Sequence, residues 1–314
     1  MLLMLLTMLA VTQANTDAPP EPLEPLHIQV LLDRAGFSPG AIDGEVGPST
    51  KRARAAFEQA GHTLTPDVSA TTTYTITPAD AAGPFTEKIP PDLPSQAKLP
   101  ALGYRSTLEM LAERFHATAA LLQRLNPKAS FEEGDEIVVP NVDPMILPAP
   151  APKIAAKKPP EQVEADTKAA EERVAARADV VVTVSEQSGA LTVTDADGRT
   201  LMYAPVTTGS ERDPLPLGEW KVQGVALHPE YRYNPDLFWD ADPAHTKALL
   251  PPGPNNPVGL VWVDLSKDHY GIHGTPEPEN IGRTESHGCV RLTNWDALKL
   301  AGMVKPGTRV IFQE

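Results

Sequence analysis

The chain has 314 residues, of which 41% are hydrophobic and 22% charged, which suits a soluble protein of two or three folded units. The net charge of -14 argues against a nucleic-acid binder, because such proteins present a basic surface to phosphates. No apolar run reaches the roughly 20 residues that span a bilayer, so we expect no integral membrane protein. Proline is unusually frequent, with 34 residues.

Residues 1–14 predict a signal peptide. Residues 1–11 are almost wholly apolar and are followed by Thr12-Gln13-Ala14, so we expect cleavage after Ala14. No Lys or Arg precedes the apolar run, which departs from the usual pattern. The segment predicts an exported protein.

Residues 22–64 predict two helices joined by a glycine-rich turn. Leu26 and Val30 have helical spacing, the first helix should end near Gly36, and Ser49 or Thr50 should cap the second. The unit resembles the small helical peptidoglycan-binding domain that accompanies cell-wall enzymes, which implies wall binding. The alternative is a helical hairpin without a ligand. The resemblance rests on Leu31, Leu32, Gly36, Phe37, Asp43, Gly44, Gly47, Pro48, Thr50, Ala53 and Phe57.

Residues 71–142 predict a strand, two helices and a second strand. Residues 74–77 and 136–140 have strand character, and apolar residues recur at helical spacing in 107–115 and 121–125. The unit resembles a LysM glycan-binding module, although some thirty Pro-rich residues replace the usual short step between the first strand and the first helix. The resemblance rests on Leu108, Leu111, Ala112, Phe115, Leu122, Leu125, Asn126, Pro127, Gly134, Asp135, Ile137, Val139 and Pro140.

Residues 143–178 predict a linker. Its first part is rich in proline, alanine and lysine, and residues 161–178 alternate charged residues with alanine, which is compatible with a solvated helix. We expect few contacts to cross such a linker, so the C-terminal domain should fold by itself.

Residues 179–314 predict a mostly β domain. Strands are expected at 180–184, 191–194, 201–208, 220–222, 261–263 and 309–312, with a helix at 295–303 before the last strand. A long polar and aromatic segment, residues 230–256, separates the middle strands. Long segments of this kind in compact domains are usually functional.

The chemistry of this domain centres on Cys289, the only cysteine, which cannot form a disulfide within the chain. A thiolate is a competent nucleophile, and both His273 and His287 lie near enough in sequence to serve as its base. Gly288 leaves neighbouring backbone N–H groups accessible to an oxyanion. Arg291 alternates with Cys289 and is suited to hold a carboxylate.

Two other interpretations use the same residues. His269, His273, His287 and Cys289 have spacings compatible with a zinc site. The other interpretation is a buried, inert cysteine with structural histidines. We expect neither a metal ion nor a cofactor.

The His-Gly-Thr triplet at 273–275, followed by Ser-His-Gly-Cys-Val-Arg-Leu at 286–292, resembles the signature of the YkuD-type L,D-transpeptidases. Residues 215–220 and 253–259 support the resemblance, whereas residues 214–216 depart from the commoner Thr-Pro-x-Gly. The implied fold is multi-domain: a mostly β catalytic domain preceded by the small α-helical peptidoglycan-binding domain and the α+β LysM-like module.

The resemblance also implies residue roles. Cys289 would be the nucleophile and His273 the general base, oriented by the Gly274 carbonyl. The other implied residues line the site or bind substrate, with Arg291 on the substrate carboxylate; they are Ser286, His287, Gly288 and Arg291.

The implied substrate is the peptidoglycan stem tetrapeptide, in the periplasm or cell wall. The thiolate would attack the carbonyl of the third residue, release the D-residue and pass the acyl group to an amine, giving a 3→3 crosslink, protein attachment or D-amino acid exchange. Water as acceptor would make an L,D-carboxypeptidase. A non-catalytic wall-binding protein is the alternative of a different class.

Overall fold

The computed structural model describes residues 23–147, 172 and 174–314. The predicted signal peptide at 1–14 lies outside the described residues, as does most of the predicted linker at 143–178. Within the described ranges, no helix has the length and apolar character needed to cross a membrane.

The first unit contains helices α1 (Pro25–Arg34) and α2 (Pro48–Gln59). The second helix begins two to three residues earlier than predicted, with Gly47 rather than Ser49 or Thr50 as its cap. Pro48 suits the first position because a helix leaves that N–H without an internal partner. The Gln29 side chain fixes the intervening loop by donating to Asp43 Oδ1 at 2.8 Å and accepting from the Gly44 N–H at 2.8 Å.

The second unit has the predicted order of strand, two helices and strand. Strand β1 (Thr71–Thr75) pairs antiparallel with β2 (Glu136–Pro140), and β1 ends two residues before the predicted Thr77. Two short helices occupy the Pro-rich insertion, α3 (Pro78–Ala81) and α4 (Leu93–Gln96). Two longer helices follow it, α5 (Thr107–Arg114) and α6 (Ala119–Leu125).

The C-terminal domain is built on a curled eight-stranded sheet. The strands are β3 (Val180–Ser185), β4 (Ala190–Asp195), β5 (Thr200–Pro205), β6 (Gly218–Leu227), β9 (Val261–Leu265), β10 (Gly271–His273), β11 (Val290–Arg291) and β12 (Arg309–Gln313). Their order across the sheet is β11-β10-β9-β6-β12-β3-β4-β5. Just beyond β5, Thr207 pairs with Arg291 of β11, which brings the two edges of the sheet together.

Helix α7 (Asn294–Met303) covers one side of this sheet. The Thr293 hydroxyl caps the helix by accepting from the Asp296 N–H. Trp295 and Leu300 are buried with the apolar residues of the strands in one core. The predicted strands and the predicted helix are therefore confirmed, with β6 considerably longer than the three residues expected.

Residues 230–256 form a hairpin of β7 (Tyr231–Tyr233) and β8 (Ala248–Leu250), with a 3-10 turn at Pro235–Leu237. We call residues 231–250 the covering hairpin. Its Tyr233 and Leu250 are buried together with Leu102 from the Pro-rich insertion, and Leu93 and Leu99 pack around them. The insertion thus supports the covering hairpin.

The expectation that few contacts join the N-terminal units to the C-terminal domain is wrong. Phe37 is buried against Tyr203 of β5, and the Tyr203 backbone bonds both Gly36 and Ser38. The Ser38 hydroxyl donates to Asp296 of α7 at 2.8 Å in a buried position. Composition of the linker predicts nothing about these contacts, because they depend on side chains far from it in sequence.

Candidate active site

The pairing of β10 with β11 brings three of the predicted site residues together. The two strands are parallel, with His273 opposite Arg291 and Ile272 opposite Val290. Cys289 precedes β11 and lies beside Gly271, whose N–H acts to lower the pKa of the cysteine thiol. Because side chains alternate along a strand, His273, Cys289 and Arg291 point to the same face of the sheet.

His273 is buried and held in one tautomer. Its Nδ1 lies 2.7 Å from the Gly274 carbonyl oxygen, so Nδ1 carries the proton and Nε2 has a free lone pair. Burial lowers the pKa of His273 to about 4, with a smaller contribution from the Arg291 charge. At neutral pH the side chain is therefore an uncharged imidazole, which is the form a general base requires.

Trp262 completes the environment of His273. It is the partner of His273 on β9, and its ring stacks on the imidazole with centroids 5.5 Å apart. A Cβ at Gly271 would lie 2.5 Å from the Trp262 ring, so the glycine makes room for this packing. The sequence alone indicates no role for Trp262, which was predicted only as part of the strand at 261–263.

Cys289 is partly exposed, and its thiol lies 3.7 Å from the His269 carbonyl oxygen, to which it donates. Desolvation of the sulfur by the surrounding protein raises the pKa of the Cys289 thiol, while the Gly271 N–H and the Arg291 charge act to lower it. The resting pair is therefore a thiol beside a neutral imidazole. Tyr231 lies nearby, and burial, followed by the charge of Cys289, raises the pKa of its phenol to about 12.

Ser286 and Gly288 shape the turn that presents Cys289. The buried Ser286 hydroxyl donates to the Cys289 carbonyl oxygen at 2.6 Å and accepts from the Gly288 N–H at 3.2 Å. Gly288 has a φ of +99°, and a Cβ there would lie 2.7 Å from the Tyr270 ring. The Gly288 N–H, expected to be accessible to an oxyanion, is thus engaged by Ser286 in this conformation.

His287 faces the covering hairpin. Its Nε2 lies 2.9 Å from Asp240 Oδ1, and the Phe238 ring meets it edge-on with centroids 5.0 Å apart. Trp239 from the same turn lies close by, donates to Asp213 at 2.9 Å and stacks under Arg212. The hairpin is therefore closed over the site through aromatic and polar contacts that the sequence analysis did not identify.

Arg291 is anchored by its backbone, which exchanges two hydrogen bonds with Thr207. Its guanidinium lies 3.3 Å from the Glu285 carbonyl oxygen and remains partly exposed. A fixed backbone and a partly exposed cation suit contact with a substrate carboxylate.

The metal alternative is not supported by the geometry. Over residues 23–147, 172 and 174–314, no group of three or more His, Cys, Asp or Glu side chains is arranged to hold a metal ion. The set of His269, His273, His287 and Cys289 is therefore not assembled as a ligand cluster.

The C-terminal domain matches a known family of catalytic domains. Residues 179–312 match the family model of YkuD, the L,D-transpeptidase catalytic domain. The C-terminal domain is thus similar to the catalytic domains of L,D-transpeptidases.

Individual relatives of the chain are also named L,D-transpeptidases. The L,D-transpeptidase YkuD of Bacillus subtilis strain 168 is 28% identical over 208 residues, which cover 65% of this chain and 92% of that protein. The L,D-transpeptidase YbiS of Escherichia coli K12 is 42% identical over 118 residues, covering 36% of this chain and 38% of that protein. A 59-residue stretch is 54% identical to the YkuD protein of Bacillus licheniformis, covering 19% of this chain and 36% of that protein.

Among solved structures, the L,D-transpeptidase from Mycobacterium smegmatis is 23% identical, with a TM-score of 0.36. The match covers 44% of this chain and 59% of that one.

Proposed function

We propose that the protein is an exported peptidoglycan L,D-transpeptidase of the periplasm or cell wall, in which Cys289 forms a thioester with its substrate. The observation that carries this proposal is the strand register that puts the only thiol and a neutral imidazole on one face. The match of residues 179–312 to the L,D-transpeptidase catalytic domain supports it.

Acylation begins when His273 Nε2 takes the Cys289 proton. The sulfur attacks the carbonyl carbon of the third residue in a stem tetrapeptide, and a tetrahedral intermediate forms. The imidazolium then gives its proton to the leaving nitrogen, the amide C–N bond breaks and the D-residue departs. The Gly274 carbonyl stabilises the Nδ1–H throughout, and Arg291 is suited to bind the substrate carboxylate.

Deacylation uses an amine. His273 takes a proton from the amine as it attacks the thioester carbonyl. The C–S bond then breaks, and the imidazolium returns the proton to the leaving sulfur, which regenerates the Cys289 thiol. The acceptor is a second stem peptide, a protein destined for the wall or a free D-amino acid. The closed covering hairpin favours an amine over water, because it limits solvent access to the thioester. This favours transfer over the L,D-carboxypeptidase alternative.

The N-terminal units are proposed to hold peptidoglycan near the site. In the LysM-like unit, an open groove of about 650 Å³ runs between the start of α5 and the end of α6 with the loop that follows it, and Ser106, Asn126 and Phe131 line it. A polar groove with an aromatic wall suits a glycan. Linking such a weak binder to the enzyme raises the local substrate concentration.

The test is product analysis with the chain lacking residues 1–14. Purified disaccharide tetrapeptides are incubated with and without glycine methyl ester or a D-amino acid, and the products are measured by mass spectrometry. We expect exchange or crosslinked products from the wild type and none from Cys289→Ala, with both proteins equally folded. Tripeptide alone, at all amine concentrations, would identify a carboxypeptidase. No product from the wild type would support the wall-binding alternative.

A further inference from the structure

A buried carboxyl group from the LysM-like unit lies against the C-terminal domain. Glu113, near the end of α5, is 7% exposed. Its Oε1 accepts a hydrogen bond of 2.6 Å from Nδ2 of Asn294, the first residue of α7. The second carboxyl oxygen is also buried and faces the buried Tyr104 hydroxyl. The carboxyl group of Glu113 is thus buried at the boundary between two units and bonded to one side chain of the other unit.

Asn294 is fully buried and organises the backbone beside the candidate base. Its Oδ1 accepts from the Leu260 N–H at 2.9 Å, and its Nδ2 also faces the Pro254 carbonyl at 3.3 Å. The same Oδ1 lies so near Gly274 that a Cβ there would be 2.1 Å away. The Asn294 amide is thus packed directly on the residue whose carbonyl binds His273 Nδ1 at 2.7 Å.

The orientation of the Asn294 amide depends on its acceptors. Nδ2 has two, and the bond to Glu113 is the shorter one. Without Glu113 only the long contact to Pro254 would hold Nδ2 in place. Rotation of the amide would disturb the Leu260 N–H and the Gly274 peptide together, because both touch Oδ1.

We propose that Glu113 is a positioning residue for the active site: through Asn294 it fixes the Gly274 carbonyl, and that carbonyl sets the tautomer and ring direction of His273. The inference rests on the proposed function only in taking His273 as the base. It assigns the LysM-like unit a part in catalysis that is separate from glycan binding.

The groups around Glu113 give the contact a pH dependence. Tyr104, Glu109 and His116 are the titratable residues that face it, and Arg114 acts on the neighbouring Tyr104. Burial is the main cause that raises the pKa of Glu113 to about 7. Ionisation makes the carboxyl a stronger acceptor for Asn294. The wild type should therefore gain acylation rate as the pH rises through about 7, above the titration of His273.

Three variants of the chain lacking residues 1–14 test whether Glu113 itself or the interface in general positions the site. Glu113→Gln keeps an acceptor for Asn294 but cannot ionise. Glu113→Leu removes the acceptor at similar volume. Arg105→Met is the matched control for the rate and the resonance, because Arg105 bonds Asn255 at 2.8 Å across the same interface without touching Asn294. Its pH profile is not compared, because Arg105 also pairs with Glu109, which faces Glu113.

Two readouts are used. The first is the rate at which a carbapenem, a strained lactam that a thiolate opens, acylates Cys289, measured from pH 5 to 9 by mass spectrometry. The second is the proton NMR resonance of the His273 Nδ1–H, assigned by its loss in His273→Ala. We expect Glu113→Leu to acylate about tenfold more slowly, which is the worth of one buried hydrogen bond to a charged group, with a shifted or broadened resonance. Glu113→Gln should lose the inflection near pH 7 and keep the resonance.

Wild-type rates and an unchanged resonance in Glu113→Leu would overturn the proposal. So would an equal loss in Arg105→Met, because the effect would then belong to the interface in general. If Glu113→Leu does not fold, the pH profile of Glu113→Gln decides alone, and an inflection retained near pH 7 counts against the proposal. If the wild type is not acylated at all, the proposed function fails, while the NMR comparison still tests the positioning role.

Discussion

The two histidines near Cys289 differ in what their ring nitrogens touch. His273 is buried with Nδ1 on the Gly274 carbonyl, whereas His287 is partly exposed with Nε2 on Asp240. Only His273 has an unoccupied lone pair fixed on the face that carries the thiol. These contacts support the proposal of His273 as the base and make His287 a contact of the covering hairpin.

His273→Ala should slow acylation of Cys289 by a carbapenem about 10²–10⁴-fold, the usual worth of a general base. His287→Ala should cost much less, because it removes only the contacts with Asp240 and Phe238. The measurement is the acylation rate of each variant at one pH, with thermal unfolding as the control for folding. A larger loss in His287→Ala would reverse the assignment.

Gly271 is the residue that lets Trp262 stack on His273. Gly271→Ala should displace the Trp262 ring, cost about 1–3 kcal/mol of stability through overpacking, and reduce the acylation rate. Gly302→Ala is the matched control, because Gly302 lies in α7 with nothing within 4 Å of an added Cβ. It should raise the free energy of unfolding by up to about 1 kcal/mol. Equal behaviour of the two variants in urea denaturation would contradict the packing argument.

At the scale of single residues, the sequence predicted candidate site residues but not the contacts that they make. The Ser-His-Gly-Cys motif singled out Cys289, and register and hydrogen bonding then distinguish the two histidines. The engagement of the Gly288 N–H by Ser286 was not predictable, because it depends on a turn with a positive φ at Gly288. The contact of Asp240 with His287 was equally hidden, since 47 residues separate them.

At the scale of elements, periodicity predicted the longer helices and the alternating strands well. Helix α7 and strand β12 lie within one residue of their predicted bounds. The four-residue helices α3 and α4 were missed, because so short a helix has no apolar stripe to detect. Residues 230–256 were expected to be functional. Their pairing as β7 and β8 and their packing on the Pro-rich insertion were not predictable, because both depend on contacts between distant parts of the chain.

The turn of the covering hairpin is held closed by Trp239, which bonds Asp213 and stacks under Arg212. Such a contact is worth about 1 kcal/mol at an exposed site, enough to change the open population several-fold. Trp239→Ala should therefore raise the ratio of hydrolysed to amine-captured product in the muropeptide assay. Leu237→Ala, in the same turn at a residue 51% exposed, should leave the ratio unchanged. An unchanged ratio in Trp239→Ala would show that this contact does not exclude water.

At the scale of the whole molecule, α7 is the meeting point of all three units. Asp296 accepts from Ser38 of the first unit, Asn294 bonds Glu113 of the second, and His116 of the second stacks on Trp295 with centroids 5.2 Å apart. The sequence predicts independent units, because each resembles a separate module. Which surfaces meet is a property of side chains from distant segments, and no local pattern records it.

The buried Asp296 makes this junction sensitive to pH. Burial is the main cause that raises the pKa of its carboxyl to about 6, from 3.8, so the folded protein holds a proton there that the unfolded chain has lost. The resulting stabilisation is complete below about pH 4 and disappears as the pH rises through about 6. Asp296→Asn removes this titration. The difference in free energy of unfolding between wild type and variant, from urea denaturation, should therefore fall between pH 4 and pH 7; a difference that is constant or grows would contradict the assignment.

Docking of the first unit should make the described units unfold together. Phe37 is 1% exposed and packs on Tyr203 of the C-terminal domain, with its ring 6.4 Å from that of Tyr203 and edge-on to Phe57. Truncating a phenylalanine buried in this way costs about 3–5 kcal/mol. Phe37→Ala should shift the whole calorimetric transition of the chain to lower temperature and also lower the temperature at which carbapenem acylation is lost, because Tyr203 belongs to the catalytic sheet. Phe85→Ala, outside this cluster, is the control. Two separate transitions, with the acylating one unmoved in Phe37→Ala, would mean that the units are independent and that their contacts contribute little.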